Sequence, residues 1–187
     1  SKEALSIKTG RSMCPNCQHR LSAKDLIPIL SWLSLGGKCR YCKQKISWQY
    51  PLVEFLTAVL FVGSYAFWPN ELDAYGVAYF GLWLVCVSGF MVLAIFDIRW
   101  MLLPNKIVFP LYGVAALMVI VQLVSQGTLE PLWRAVVGIL VGGGLFYLLF
   151  QLSGGRWIGG GDVKLGFLLG AIVGGPGQAL LLLFLAS

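Results

Sequence analysis

The sequence predicts an all-α protein that crosses a membrane several times and carries a small polar module at its N-terminus. Hydrophobic residues make up 58% and charged residues 12% of its 187 residues, which is far more apolar than a soluble domain. The apolar residues also occur in blocks about as long as a bilayer is thick. These observations predict a multi-span helical bundle over residues 51–187, preceded by a separate module over residues 1–50.

Four apolar blocks are each long enough to form a membrane-spanning helix, because roughly 20 helical residues cross the hydrocarbon core. A fifth stretch, Leu165–Ala186, is interrupted by a Gly-Gly-Pro-Gly run. Its first part, Leu165–Val173, rises only about 13 Å as a helix, which predicts a half-span or a re-entrant segment. We therefore expect a bundle that is incomplete at its C-terminus. The four complete blocks are Leu52–Trp68, Ala74–Phe96, Ile107–Val124 and Leu132–Leu152.

The net charge of +6 is explained by the membrane rather than by a nucleic acid. If the four spans alternate in direction, thirteen of the fourteen Lys and Arg residues fall on one side. The opposite loops, 69–73 and 125–131, contain acidic residues but no Lys or Arg. Positive residues accumulate in cytoplasmic loops, so the basic side, with the N-terminal module, is predicted to face the cytoplasm. Contact with anionic lipids fits the same distribution and needs no nucleic-acid partner.

The N-terminal module contains two Cys-x-x-Cys pairs, Cys14 with Cys17 and Cys39 with Cys42. Their separation is typical of a four-thiolate zinc ribbon, in which each pair lies on a tight turn. Two disulfides are the alternative, but a reducing cytoplasm disfavours them. Zn²⁺ with four thiolate ligands has no open position for water, so a structural role is predicted. We interpret His19, beside the first pair, as a solvated turn residue.

Two acidic residues, Asp97 and Asp162, lie where apolar blocks meet loops on the predicted cytoplasmic side. A carboxylate at the edge of a bilayer is costly, which favours a chemical role. Two adjacent carboxylates share one proton, so that one activates water while the other polarises a carbonyl group. The structural alternatives are that Asp162 caps a helix start and that Asp97 pairs with Arg99.

The segment around Asp162 favours the chemical role. It is preceded by Gly159, Gly160 and Gly161 and followed at a short distance by Lys164. Residues without side chains leave room for an extended peptide to approach the carboxylate. The three glycines and Lys164 are therefore predicted to form the loop of a substrate site.

In their order along the chain, these motifs resemble those of bacterial type IV prepilin peptidases, the leader peptidases and N-methyltransferases of pilus and type II secretion systems. The resemblance implies a Gly-x-Gly-Asp aspartyl endopeptidase with Asp97 and Asp162 as its catalytic pair. Its substrates would be prepilins or pseudopilins, whose basic leader is removed at the cytoplasmic face of the bacterial inner membrane. It also implies N-methylation of the new terminal residue by S-adenosylmethionine, and zinc in the cysteine module. The segments that carry the resemblance are the four cysteines, Ile29–Trp32, Gly37–Cys42, Tyr50–Glu54, Phe96–Asn105 and Gly159–Lys164.

The site for the methyl donor is less visible, because no glycine-rich loop after a strand marks a Rossmann-type site. By the resemblance, the candidates are Gly37, Lys38 and Glu54, where the cysteine module meets the membrane. Each also has a structural interpretation. Gly37 suits a turn before the second pair of cysteines, Lys38 suits a lipid-facing cation, and Glu54 suits a partner for a nearby basic residue.

Three other classes of protein fit parts of the pattern. An ion or proton transporter also keeps membrane aspartates, but usually near the midplane on broken helices. A presenilin-like intramembrane protease shares the Gly-x-Gly-Asp run but lacks the four-cysteine module. A non-catalytic scaffold would use a zinc ribbon to bind a partner and gives no reason for the glycine run. Incubating the protein with a prepilin-like peptide and then measuring the mass of that peptide separates these classes.

Overall fold

The computed structural model describes residues 12–175, which form helices, turns and two isolated β-bridges. The predicted all-α fold is therefore confirmed. The chain divides into two compact units, Ser1–Ala66 and Phe67–Ser187.

The first unit joins the cysteine module to a long helix. A 3₁₀ turn covers Ala23–Leu26, α1 covers Leu30–Ser34 and α2 covers Gln49–Ala66. The indole Nε1 of Trp32, in α1, donates to the carbonyl oxygen of Ile46 at 3.2 Å. This bond connects α1 to the segment that leads into α2.

The second unit is built from four further helices, α3 (Ala74–Trp100), α4 (Asn105–Gln126), α5 (Glu130–Ser153) and α6 (Gly160–Val173). Helix α3 begins where the Asp73 carboxylate accepts from the Gly76 amide at 2.7 Å, an N-cap. Helices α4, α5 and α6 each end at a glycine in the left-handed conformation, the usual helix terminator.

Of the helices within residues 12–175, three are long and apolar enough to cross a membrane. These are α3, α4 and α5, with mean hydropathy values of 2.2, 2.4 and 2.1. Three of the four predicted complete spans are thus found. The predicted first span, Leu52–Trp68, is helical as α2 but does not reach this level of hydropathy, since Gln49 and Glu54 lie near its start.

The short fifth segment is also helical. Helix α6 has 14 residues and is about 21 Å long, so the prediction of a segment shorter than a full span is confirmed. The further segment expected from Gln178 onward lies outside the described residues.

Helix α4 is at the centre of the second unit. It packs against α3, α5 and α6, and α6 packs most extensively against α5. Cys86 of α3 lies against Met118 of α4, with the two sulfur atoms 3.8 Å apart. The buried core therefore combines α3, α4 and α6, and its residues are Cys86, Leu93, Val108, Leu111, Ala115, Met118 and Leu168.

Helices α5 and α6 approach each other through glycines. A Cβ atom at Gly138 would overlap the carbonyl oxygen of Gly170, and a Cβ atom at Gly170 would overlap that of Gly138. Gly142 and Gly166 face each other one turn further along. Small residues let helix backbones pack closely in membranes, where close packing replaces the hydrophobic driving force. This contact fixes α6, and with it the residues at the α6 N-terminus.

Gly138→Ala is expected to destabilise the second unit by about 1–3 kcal/mol, because the added methyl group must push two backbones apart. Thermal unfolding in detergent measures the effect. The matched control is Gly144→Ala on the same helix, where a Cβ meets no atom within 4 Å and alanine favours the helix. Equal unfolding temperatures for the two variants would contradict the close packing.

Candidate functional site

The four predicted metal ligands lie together. The sulfur atoms of Cys14, Cys17, Cys39 and Cys42 are all within 4.8 Å of one another, and those of Cys14 and Cys42 are 3.9 Å apart. Cys14 and Cys39 are buried, whereas Cys17 is exposed. The structure therefore contains a four-cysteine cluster at the surface of the first unit.

Two backbone turns of the same shape present these sulfur atoms. The Gln18 amide donates to the Cys14 carbonyl at 2.9 Å, and the Lys43 amide donates to the Cys39 carbonyl at 3.0 Å. Gln18 and Lys43 are both left-handed, with φ of 56° and 59°. The second turn thus repeats the first, so that the two Cys-x-x-Cys pairs meet at one point. The antiparallel bridges that close the turns join Met13 to Arg20 and Lys38 to Lys45.

The cluster fits a tetrahedral metal ion. Zn–S bonds of about 2.3 Å place the sulfur atoms of a tetrahedral site roughly 3.8 Å apart, close to the 3.9 Å between Cys14 and Cys42. Four sulfur ligands are a donor set for structural zinc rather than for magnesium or calcium. His19 is exposed, and its ring stacks on Tyr41 with centroids 3.7 Å apart. It is not part of the four-cysteine cluster.

The thiols of the cluster differ in acidity. The backbone amide of Gln44 and the side-chain amide of Asn16 lower the pKa of Cys42 to about 6. The His19 amide also lowers the pKa of Cys17, but burial and the neighbouring thiols outweigh it and raise that pKa to about 11. Thiolates this close repel one another, so a bound cation is needed to hold all four in the charged form.

The carboxylate of Asp25 accepts four hydrogen bonds within the first unit, and the sequence analysis did not predict this. Its carboxylate accepts from Arg40 Nε at 2.7 Å and from the Tyr41 hydroxyl at 3.2 Å. Ser22 donates to it through its amide at 3.1 Å and its hydroxyl at 2.9 Å. The side chain is only 4% exposed, and the Arg40 guanidinium holds its pKa at about 2. Asp25 therefore ties the 3₁₀ turn to the second cysteine turn. The Ser-x-x-Asp spacing of Ser22 and Asp25 is a capping-box pattern, and it could have indicated that Asp25 accepts hydrogen bonds from Ser22.

The three candidates for methyl transfer lie in different surroundings. Gly37 is buried with φ of +69°, and a Cβ there would lie 2.9 Å from the ring of Trp32. Its role as a turn glycine is therefore confirmed. Lys38 is exposed. Glu54 Oε2 accepts from the Ile29 amide at 2.8 Å, so the expected partner, a basic residue, is replaced by a backbone amide.

Asp97 lies in the last turn of α3 and Asp162 in the first turn of α6, and both are exposed. Asp162 Oδ2 accepts from the Gly159 amide at 3.1 Å. The N-cap residue is Gly159 rather than Asp162, which lies in the first turn and satisfies the amide of that N-cap. Its other oxygen has no hydrogen-bond partner within residues 12–175. In the same part of the chain, no hydrogen bond joins the two aspartates. Both carboxylates are thus accessible to a third molecule.

The two aspartates lie at the same end of the second unit, because the turn between α3 and α4 touches the start of α6. Leu103, in that turn, packs against Gly161, where a Cβ would lie only 2.9 Å from Leu103 Cδ1. Lys164 Nζ donates to Asn105 Oδ1, the first residue of α4, at 2.8 Å. The Tyr112 hydroxyl donates to the Lys164 carbonyl at 2.6 Å. These contacts fix the start of α6 against α4.

The four residues predicted to form the substrate loop have different structural roles. Gly161 needs its small size to pass Leu103, whereas a Cβ at Gly160 would make only ordinary contact, 3.9 Å from Phe150. Gly159 is the extended residue that precedes α6. Lys164, which we predicted for the same loop, is held by Asn105. Access of a peptide to this loop stays a prediction.

Exposed tryptophans mark the same end of the unit. Trp100 is 53% and Trp157 74% exposed, and the Arg99 guanidinium lies 5.7 Å from the centroid of the Trp100 ring. Tryptophan and arginine side chains concentrate where a bilayer meets water. This end is therefore suited to the membrane interface.

The fold and the two sites define a polytopic membrane protein with a four-cysteine cluster and two exposed aspartates at one end of its second unit. Comparison with protein families gives a narrower assignment. Residues 1–68 match the bacterial peptidase A24 N-terminal domain, and residues 84–187, more than half of the chain, match the type IV leader peptidase family. The chain therefore belongs to the type IV leader peptidase family.

Individual relatives agree with this assignment. A type 4 prepilin-like proteins leader peptide-processing enzyme of Escherichia coli is 39% identical over 174 residues, which are 91% of this chain and 61% of that protein. Prepilin leader peptidase/N-methyltransferases of Pectobacterium carotovorum and Bacillus subtilis are 36% and 35% identical, covering 87% and 91% of this chain and 56% and 64% of theirs. The chain thus spans somewhat more than half the length of these curated relatives. No solved structure matches it.

Arg40→Met is expected to raise the pKa of Asp25 from about 2 towards its ordinary value of 3.8, because the guanidinium is the main influence that lowers it. The folded state lowers this pKa, so its stabilising contribution is complete above about pH 4 and is lost as the pH falls towards 2. The variant should lack that contribution at pH 7. Thermal unfolding of the chain at pH 7 measures the loss, and Arg20→Met, on the first cysteine turn, is the control. An unchanged unfolding temperature in Arg40→Met would argue against the role of Asp25.

Proposed function

We propose that this chain carries the two activities named for its relatives, prepilin leader peptidase and N-methyltransferase. It would remove the leader from type IV prepilins or pseudopilins and then methylate the new N-terminal residue. The observation that carries the proposal is the placement of Asp97 and Asp162 at one end of the second unit, each with an exposed carboxylate. Membership of the leader peptidase family supports it.

In the proposed cleavage step, Asp97 and Asp162 act as an aspartyl dyad. When a peptide brings the two carboxylates together, they share a single proton, because two adjacent negative charges repel each other. The ionised aspartate takes a proton from water, and the resulting hydroxide attacks the scissile carbonyl carbon. The protonated aspartate hydrogen-bonds the carbonyl oxygen and stabilises the tetrahedral intermediate. Return of a proton to the leaving amine then breaks the C–N bond.

The surroundings of the dyad support a substrate that is itself held in the membrane. The aspartates lie where α3 ends and α6 begins, next to exposed Trp100 and Trp157. A substrate with an apolar helix in the bilayer would present its basic leader along the same interface. Anchoring both partners in one membrane supplies much of the orientation that a deep pocket otherwise gives. We place this end at the cytoplasmic face of the bacterial inner membrane, following the distribution of Lys and Arg.

The four cysteines are proposed to hold one Zn²⁺ with a structural role. The sulfur positions fit a tetrahedral ion, and four thiolates leave no ligand position for water. The first unit has little other means of stabilisation, since Cys14 and Cys39 are its only buried hydrophobic residues within the described part of the chain. Small modules with so little core depend on a metal for folding.

S-adenosylmethionine is the proposed methyl donor, and the first unit is its proposed site. Of the three residues predicted for this role, Glu54 has an open carboxylate oxygen within residues 12–66, because only Oε2 is hydrogen-bonded. Gly37 and Lys38 stay predictions for methyl transfer. The packing of Trp32 on Gly37 accounts for that glycine without a ligand.

Asp97→Asn and Asp162→Asn are each expected to reduce leader cleavage by about 10²–10⁴-fold, the usual contribution of acid–base catalysis. Asparagine keeps the size of the side chain and can still accept from the Gly159 amide, so α6 should start normally. Cleavage is measured as the change in mass of a prepilin peptide.

The control for the dyad is Asp73→Asn, which makes the same chemical change at the other end of α3, where the side chain only caps the helix. It should cleave at the wild-type rate. Normal cleavage by either dyad variant at equal expression would rule out that residue as a catalytic group.

One Zn²⁺ per chain is expected by elemental analysis, and Cys14→Ser or Cys42→Ser should lose it. Loss of the ion should unfold the cysteine module and lower methylation more than cleavage, since the dyad belongs to the other unit. Cys86→Ala, which alters the one buried cysteine of the second unit, should keep the zinc. Metal-free protein with four reactive thiols and full activity would refute the proposal.

A further inference from the structure

A cleft of about 550 Å³ lies within the first unit, between the cysteine turns, α1 and the start of α2. This volume is in the range of sites for small organic ligands. Most of its wall is apolar, and two of its residues, Trp32 and Tyr50, are aromatic. The other main apolar residues of the wall are Leu21, Leu26, Leu35 and Ile46.

The charged residues that line the cleft fall into two kinds. Asp25 and Arg40 neutralise each other through their 2.7 Å ion pair. Glu54 and Lys45 form no ion pair within the described residues 12–66. The cleft therefore presents one uncompensated carboxylate and one uncompensated ammonium group beside an aromatic surface. This combination suits a zwitterionic ligand with a flat ring.

Glu54 is held in place for such a role. Its Oε2 accepts from the Ile29 amide at 2.8 Å, which fixes the side chain and leaves Oε1 for a ligand. Ile29 itself has φ of 61°, a conformation that is costly for a β-branched residue. Strained residues of this kind concentrate at ligand sites, where the surrounding structure holds them.

We propose that this cleft is the binding site for S-adenosylmethionine, with Glu54 beside the cationic sulfonium and amino end and Lys45 beside the ligand carboxylate. The adenine ring would lie against the aromatic wall, where stacking on Trp or Tyr is favourable for any base. The inference rests on the proposed methyl-transfer function and gives that function a site.

The cleft also explains how the cysteine cluster can influence methylation. Cys14 and Cys39 form part of the cleft wall, so the cluster shapes the site without contributing chemistry to it. By contrast, neither Gly37 nor Lys38 lines the cleft. The ligand is therefore placed on the side of the second cysteine turn that faces α2, away from Lys38.

The test is equilibrium binding of S-adenosylmethionine and of S-adenosylhomocysteine to the full chain, purified with zinc and placed in lipid nanodiscs. S-adenosylhomocysteine lacks the methyl group and the sulfonium charge. Glu54→Gln keeps an oxygen for the Ile29 amide but removes the negative charge. Glu54 is exposed, so its loss of charge should weaken S-adenosylmethionine about three- to fivefold, the effect of losing an exposed charge contact, and S-adenosylhomocysteine less.

A second variant tests the space rather than the charge. Ser31→Phe fills the cleft from α1 and should abolish binding of both compounds, whereas Ser34→Phe, exposed on the same helix and outside the cleft, should bind as wild type. Zinc content is measured for each variant, so that loss of the fold is recognised. Wild-type binding by both Glu54→Gln and Ser31→Phe would overturn the assignment, as would a wild-type chain that binds neither compound.

Leader cleavage and methylation are measured on the same samples, so that the two proposals fail differently. If the wild-type chain binds S-adenosylmethionine in the cleft but neither cleaves nor methylates a prepilin peptide, the proposed function fails and the site stands. If cleavage and methylation are normal in both cleft variants, the function stands and the site fails. Loss of binding in Lys38→Gln together with normal binding in Glu54→Gln would move the site to the outer side of the cysteine turn.

Discussion

The contact between the α3–α4 turn and the start of α6 organises the second unit. Leu103 against Gly161 and Lys164 with Asn105 fix the beginning of one helix beside the end of another. Asp97 and Asp162 are 65 positions apart in the sequence, and α3 and α6 each reach this region through their packing on α4. Helix α4 therefore holds together the two helices that carry these carboxylates. The glycine contact between α5 and α6 supports it from the opposite side, because it fixes α6 along its length.

This arrangement leaves the carboxylates accessible rather than locked together. Asp162 is partly occupied in capping its own helix, and this bond uses only one of its oxygens. A cap and a catalytic role are therefore compatible, because the cap orients the side chain and the second oxygen remains for a substrate. Preorganisation of this kind reduces the reorganisation that a reaction requires.

The first unit is stabilised in a different way from the second. Its buried hydrophobic residues are few, and its order comes from directional contacts: four converging sulfur atoms, the Asp25 carboxylate with its four donor contacts, and the Trp32 indole over Gly37. Such contacts specify shape without filling the interior. A module built in this way can keep an open cleft beside its ligands for a metal, whereas a well-packed apolar core of the same size would close it.

The two units also divide the proposed chemistry. The proposed hydrolysis needs water and a pair of carboxylates, and the second unit has two exposed carboxylates, Asp97 and Asp162, at one end. Methyl transfer needs a site that holds a charged donor away from bulk water, and the cleft of the first unit has the volume, aromatic surface and charges for it. The proposal thus assigns each reaction to a different unit.

The sequence by itself determined the helical class, three spans, the short helix α6 and the four-cysteine cluster. These features depend on local periodicity, on hydrophobic length and on a spacing of cysteines that few other structures use. It also indicated both aspartates, because a carboxylate among apolar blocks is rare. The sequence analysis overestimated the hydropathy of the first predicted span. The apolar block from Leu52 onward belongs to helix α2, which begins at Gln49 and contains Glu54.

Only the tertiary structure decided the contacts between distant residues. The partners of Asp25, Lys164 and Glu54 lie 15, 59 and 25 positions away, and no local pattern specifies such pairs. The same is true of Gly37 and Gly161. Each must be small because the side chain of Trp32 or Leu103, respectively, packs against it. A sequence records which side chains are present and in what local period, whereas the meeting of remote groups depends on how whole helices and turns pack.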